Sequence, residues 1–216
     1  MVSDDDAPAM APEGPRDRAK MAIAVVVVSV LASAFAIVFR WSLALVHAYV
    51  FGASDVVEVM RSAPVWVRLA LPAVGGLLAG VCALVVARRG PSQNVGDVME
   101  AIVIGRTRLA FRATVWKSLG SWFAIVSGGS LGREGPLIQF GGAAGDAIGH
   151  RAGFATRRVR ILIAAGTAAG FAAAYNTPFA AVLFVLEVVT GVAMLEALVP
   201  TLVAAMTRSD HEVQKL

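Results

Sequence analysis

The 216-residue chain contains little charge, one cysteine and three histidines. Charged residues make up 16% of it, against about 25% in a typical soluble domain, so its polar surface is too small for a water-soluble fold. The single cysteine, Cys82, excludes an intrachain disulfide and a thiolate metal cluster. His47, His150 and His211 lie too far apart in sequence for a zinc motif. The sequence shows no nucleophile–base pair, so we predict that the protein is not an enzyme and needs no cofactor.

The apolar residues are concentrated in long runs. Residues 21–39 and 69–87 carry no charge, and a membrane-spanning helix needs about 20 such residues. A cleaved signal peptide is the alternative for the first run, but apolar sequence continues beyond its small-residue motif at residues 32–34. We therefore predict an integral membrane protein with a disordered cytoplasmic tail over residues 1–18, a membrane region over 19–206 and a polar tail over 207–216.

The net charge of +4 comes from basic residues beside the apolar runs rather than from one basic face, so we predict no nucleic-acid partner. By the positive-inside rule, Arg16, Arg18 and Lys20 place the N-terminus in the cytoplasm. We expect the inner membrane of a bacterium. Basic clusters also stand at both ends of the apolar stretch Ala113–Gly149, so the chain should enter the membrane there and return to the same side. The clusters are Arg106, Arg108, Arg112 and Lys117 at its start and Arg151, Arg157, Arg158 and Arg160 at its end.

This stretch is interrupted by the glycine-rich segment 127–132. Each part holds about 15 residues and would rise about 22 Å as a helix, which is short of the roughly 30 Å core of a bilayer. Short helices broken by glycine are typical of transporter binding sites. The alternative is a kinked pair of helices that pack through small residues.

A helix is predicted to begin within Gly132-Arg133-Glu134-Gly135-Pro136, with the proline in its first turn. The exposed amides and the dipole of such a helix start favour an anion. The carboxylate of Glu134 could occupy that place as a tethered anion and then leave it, and ionisable groups at membrane depth are commonly functional. Alternatively, Arg133 and Glu134 pair in a surface loop.

Two segments resemble the CLC family of chloride channels and proton/chloride exchangers. Residues 128–145 contain its GREGP signature, and residues 164–187 resemble its next helix pair, with an Asn-x-Pro turn at 176–178. The resemblance extends over about residues 20–206 and implies an all-α membrane fold of the CLC inverted-repeat type. The chain would supply the first half of that fold, with re-entrant half-helices.

The resemblance also implies roles for individual residues. Glu134 matches the gating glutamate, and the backbone around Gly132, Arg133, Glu134, Gly135 and Pro136 would face the anion. The family further implies a dimer with one anion path in each subunit. A homodimer or a complementary second-half chain is therefore an expected partner, together with membrane lipid and chloride or another small anion.

Three departures from the family pattern affect the expected function. Residues 92–96 replace the family's GSGIP loop, so that Gln93 would stand for the anion-binding serine and an anion other than chloride stays open. Val188 replaces the second glutamate of exchangers, which favours passive flow, and Glu187 is expected to be a structural acid at the cytoplasmic end. The family's second half does not follow, which suggests a truncated product or assembly with another chain. We predict channel-like anion transport gated by Glu134; the alternatives are a proton-coupled antiporter and a non-conducting fragment or assembly partner.

Overall fold

The computed structural model describes residues 15–52, 56–88, 94–105 and 108–185. Within these ranges the chain forms helices and no strand, which confirms the predicted all-α fold. Gln93, Glu187, Val188 and the polar tail lie outside the described residues. The helices are α1 Pro15–Phe51, α2 Val56–Ser62, α3 Val65–Ala87, α4 Val95–Val103, α5 Phe111–Val126, α6 Glu134–Arg151, α7 Thr156–Tyr175 and α8 Pro178–Phe184.

The two charge-free runs lie in α1 and α3, which are both long and apolar enough to cross a membrane. Only 17% of the most apolar window of α3 is buried, so its apolar surface faces outward, unlike the core helix of a soluble protein. Helix α1 begins at Pro15, inside the segment predicted to be a disordered tail. Proline suits the first position of a helix because its missing N–H would have no partner there. The short helix α2 was not predicted.

The glycine-rich break separates α5 from α6 at residues 127–133. The two helices contain 16 and 18 residues and so rise about 24 and 27 Å, close to the predicted lengths. The far end of α6 lies beside the start of α5, since the backbone N–H of Leu109 donates to Oδ2 of Asp146 at 3.2 Å. The outer ends of the two helices therefore lie together, and their entry into the membrane from one side stays a prediction.

Helices α6 and α7 pack backbone to backbone along most of their length. A Cβ on Gly141 would lie 1.9 Å from the carbonyl oxygen of Gly166. Towards the start of α6, a Cβ on Gly170 would lie 2.2 Å from the carbonyl oxygen of Leu137. Residue numbers rise along α6 as they fall along α7, so the helices are antiparallel. This arrangement brings the end of α7 to the start of α6.

The end of α7 is fixed by a tight turn. Asn176 adopts the left-handed conformation with φ 55°, which asparagine tolerates better than most residues, and α8 then begins at Pro178. The Asn-x-Pro turn lies where the sequence placed it. Tyr175 is the last residue of α7 and therefore stands beside the start of α6.

Candidate functional site

A cavity of about 590 Å³ opens where four parts of the fold meet. Its wall combines α3, the start of α4, the middle of α5 and the start of α6 with the break before it. Two helix starts therefore face the same space, and each presents backbone N–H groups and the positive end of a helix dipole. The lining residues are Ala79, Cys82, Ala83, Asn94, Val95, Gly96, Lys117, Gly120, Ser121, Ala124, Leu131, Gly132, Gly135, Pro136 and Gln139.

The start of α6 carries the motif that the sequence singled out. Glu134 is its first residue and Pro136 lies in its first turn. Among the described residues, no side chain caps this helix start. A Cβ on Gly135 would meet nothing within 4 Å, so the backbone there is open to a small ligand. The geometry suits an anion held by main-chain amides.

The carboxylate of Glu134 lies against a residue of the cavity wall. Gly132, Gly135 and Pro136 line the cavity wall, whereas Glu134 does not. Its carboxylate folds back over Gly132, where a Cβ would lie 1.9 Å from Oε1, so a residue larger than glycine would displace it. The side chain of Tyr175, at the end of α7, lies near this carboxylate.

The second helix start supplies polar side chains. Asn94 precedes α4 and its N–H donates to the carboxylate of Asp97. Nζ of Lys117, on α5, donates to Oδ1 of Asn94 at 3.0 Å. An ammonium group can only donate, so Oδ1 of Asn94 is the acceptor and its Nδ2 amide keeps its capacity to donate. The cavity thus has Lys117 and Asn94 at one end, with the carboxylate of Asp97 close to both.

Of the predicted site residues, the structure brings Gly132, Gly135 and Pro136 to the cavity and leaves Arg133 and Glu134 beside it. Sequence reasoning missed Asn94 and Gln139, which both line the wall, and gave Tyr175 no role at the site. A signal for Asn94 was present, because asparagine followed three residues later by Asp97 is an N-terminal capping pattern. No comparable pattern marks Tyr175, whose contact with Glu134 is tertiary.

These features describe a helical protein with two helices apolar enough to cross a membrane and a cavity at the start of α6, beside the break in an interrupted helix pair. The chain belongs to the voltage gated chloride channel family, whose model matches residues 75–209, more than half of the chain. The expected CLC resemblance is therefore confirmed.

Individual relatives agree with this assignment. A ClcB-like protein of Ralstonia nicotianae is 37% identical over 176 residues, covering 79% of this chain and 41% of the relative. The voltage-gated ClC-type chloride channel ClcB of Yersinia pestis is 37% identical over 145 residues, covering 66% of this chain and 34% of the relative. The chain thus spans less than half the length of these relatives.

Two solved structures share the fold. A CLC-type fluoride/proton antiporter superposes with a TM-score of 0.74 at 28% identity, covering 92% of this chain and 47% of that one. A slow cyanobacterial Cl−/H+ antiporter gives 0.72 at 20% identity, covering 94% and 46%. The described helices therefore have the arrangement of about half of a CLC subunit. These relatives are channels and transporters rather than enzymes.

Proposed function

We propose that this chain forms one wall of an anion pathway in a membrane transporter, with Glu134 as the gate. The observation that carries this proposal is the cavity at the start of α6, because it joins two helix starts to the ammonium group of Lys117. Positive potential in a partly dry cavity attracts small anions. Glu134 lies next to this cavity and carries a negative charge that could replace the permeant anion there.

The same observations support an order of events. With the carboxylate of Glu134 folded over Gly132, the amides at the start of α6 are free to receive an anion. When the carboxylate swings to the cavity, it takes those amides and blocks the path. Protonation of Glu134 would remove its charge and weaken this competition, so acid should favour anion flow.

Passive flow is the mode that we propose. Val188 stands where exchangers of the family carry a second glutamate, and valine cannot carry a proton. Proton-coupled antiport is the second candidate, because both solved structures to which the chain is similar are described as antiporters. The anion is chloride or another small anion, since the loop before α4 departs from the family pattern.

Anion flux from liposomes, recorded together with proton movement, tests both the gate role of Glu134 and the passive mode of flow. The chain would be joined to the remainder of the Ralstonia relative, because it spans 41% of that protein. We expect anion flux without stoichiometric proton movement. Glu134→Ala and Glu134→Gln should give more constant flux with weaker pH dependence, whereas Glu58→Gln, an exposed glutamate on α2, should not. Flux that keeps its wild-type pH dependence in both Glu134 variants would show that Glu134 is structural.

A further inference from the structure

A second cavity, of about 230 Å³, lies towards the far end of α6, away from the cavity at its start. This volume is far above the roughly 10–15 Å³ that a single water needs, so the second cavity has room for a small polar ligand. Three elements supply its polar wall: α6, α7 and the segment before α5. The polar side chains are Asp146 and His150 of α6, Thr156 and Arg160 of α7, and Arg108.

The carboxylate of Asp146 has more capacity to accept hydrogen bonds than the protein uses. Its Oδ2 accepts the N–H of Leu109 at 3.2 Å, whereas Oδ1 has no hydrogen-bond partner among the described residues. An ionised carboxylate offers about four acceptor positions. A buried carboxylate that is short of donors is costly, and Asp146 is only 5% exposed. The second cavity is the direction from which a further donor can come.

His150 covers this carboxylate without satisfying it. Its Nδ1 lies 3.0 Å from Oδ1 of Asp146 and also 3.0 Å from the main-chain carbonyl oxygen of Asp146. A carbonyl oxygen can only accept, so Nδ1 carries the ring hydrogen and donates it to the main chain. One N–H cannot serve both oxygens well, and Oδ1 is the oxygen left without a bond.

Two guanidinium groups line the same cavity. Nε and Nη2 of Arg160 donate to the carbonyl oxygens of Ile102 and Val103 at the end of α4, which fixes the position of this guanidinium group. Its Nη1 carries two further N–H groups. Arg108 adds a second positive charge at the exposed edge of the cavity. Cationic donors and a carboxylate short of donors therefore face one small space.

This combination selects against simple ions. Chloride has no hydrogen to offer to Asp146, and two guanidinium groups repel a metal or ammonium cation. A protonated oxyanion satisfies both parts of the wall, because its charged oxygens accept from the arginines and its hydroxyl donates to the carboxylate. Hydrogen bonds of both kinds are strong, since each has a charged partner.

We propose that the second cavity binds a protonated oxyanion of the phosphate type, either as the free ion or as the headgroup of a phosphate monoester lipid. The bound group joins α6 to α7 and to the segment before α5. These elements hold the outer ends of the interrupted helix pair together, so the ligand stabilises the loop that presents the start of α6. This site is independent of the proposed gate at Glu134.

Sulfate is the matched probe, because it has the shape of phosphate and lacks a hydroxyl near neutral pH. Binding of inorganic phosphate and of sulfate to the purified 216-residue chain in detergent is measured by calorimetry. We expect the chain to prefer phosphate at least about tenfold, the effect of one charge-assisted hydrogen bond. Equal affinities for phosphate and sulfate would overturn the proposal.

Two variants separate the two parts of the wall. In Asp146→Asn the N–H of Leu109 retains the amide oxygen as its acceptor, so the amide nitrogen takes the place of Oδ1 and meets the ligand with a donor. Phosphate affinity should fall about tenfold, while sulfate affinity is retained or raised. Arg108→Gln should weaken both ions alike. Arg16→Gln, at the exposed start of α1, is the control and should change neither.

Lys117→Met shows which cavity the phosphate occupies. Loss of phosphate binding in Lys117→Met, with none in Arg108→Gln, would place the ion in the first cavity and overturn the proposal. Unchanged phosphate affinity in Asp146→Asn would also overturn it. Glu134→Ala should bind phosphate as the wild type does, so the outcome for this site is separate from the outcome for the gate.

Nanodiscs separate the two sources of the ligand. Phosphatidic acid has a phosphate monoester with a hydroxyl, whereas the phosphodiester of phosphatidylglycerol has none. If the lipid headgroup is the ligand, phosphatidic acid should lower the apparent affinity for inorganic phosphate and phosphatidylglycerol should not. Equal phosphate affinities in the two lipids would assign the second cavity to the free ion.

Discussion

The carboxylate of Asp146 ties the end of α6 to the start of α5. Its Oδ2 accepts the N–H of Leu109 at 3.2 Å, while Oδ1 lies 3.0 Å from Nδ1 of His150. Asp146 is 5% exposed, so water does not readily replace these partners. The bond closes a loop of two short helices, and it therefore fixes the direction in which α6 points its start at the cavity.

Replacing this carboxylate should loosen the loop. Asp146→Ala would leave the Leu109 N–H without its acceptor, and a buried donor that loses its partner costs about 1–3 kcal/mol. We expect a lower thermal unfolding midpoint in detergent. Asp146→Asn is the matched control, because its amide oxygen can still accept from Leu109 and it should retain most of the stability. Equal unfolding midpoints for the wild type and Asp146→Ala would show that the bond contributes nothing.

The contact between Gly141 and Gly166 leaves no room for a side chain. A Cβ on either glycine would lie within 2.0 Å of the carbonyl oxygen of the other. Gly141→Ala should therefore push α6 away from α7 and destabilise the protein by about 2 kcal/mol or more. Gly80→Ala on α3 is the control, because a Cβ there meets nothing within 4 Å. The prediction fails if both variants unfold at the same temperature.

Several features of the fold could be read from the sequence because their causes are local. The break between α5 and α6 follows from the glycine-rich run at 127–132, and the turn at 176–178 follows from asparagine before a proline. The start of α1 at Pro15 also has a local cause, because proline favours the first position of a helix. The polar composition of residues 1–18 instead led to the prediction of a disordered tail. Helix α2 has seven residues, too few to show a periodic pattern.

The parts of the site that sequence could not supply depend on contacts between distant residues. Asp146 is 37 residues from Leu109, and Lys117 is 23 from Asn94. No local pattern joins such pairs; they are brought together by the packing of whole helices. Tyr175 and Glu134 meet for the same reason. The residues that form the polar wall of the cavity therefore could not be predicted from the sequence.

The side of the membrane on which the loop opens is still a prediction. The structure places the segments before α5 and after α6 together, since Arg160 on α7 donates to the carbonyl oxygens of Ile102 and Val103 at the end of α4. Cysteines at positions 108 and 157 should therefore react with an impermeant thiol reagent from the same side in a Cys82→Ala background. By the positive-inside rule that side is the cytoplasm. Labelling from opposite sides would contradict the re-entrant loop.

Lys117 should contribute to anion affinity through its charge. Lys117 lines the cavity wall and its Nζ lies on Asn94, and a single charge several ångströms from an anion is worth about 1–2 kcal/mol at an intermediate dielectric. We expect Lys117→Met to raise the half-saturating anion concentration about tenfold, with a smaller effect at high ionic strength. Lys20→Met, on the exposed start of α1, is the control and should change nothing. An unaltered half-saturating concentration in Lys117→Met would show that this charge does not reach the anion.

Asn94 and its neighbour Gln93 offer rival sources of anion selectivity. The sequence favours Gln93, by resemblance to the family's serine, whereas the structure places Asn94 at the cavity, with its Oδ1 accepting from Lys117. A rigidly held amide donor discriminates among anions by size and hydration, because it can approach a small anion more closely.

If Asn94 is the selecting residue, Asn94→Ala should change the permeability ratio of chloride to nitrate and to fluoride, and Gln93→Ser should leave it unchanged. Permeability ratios in liposomes, measured for each single variant and for the double variant, distinguish the two. A shift towards chloride in Gln93→Ser, with none in Asn94→Ala, would return the selecting role to Gln93.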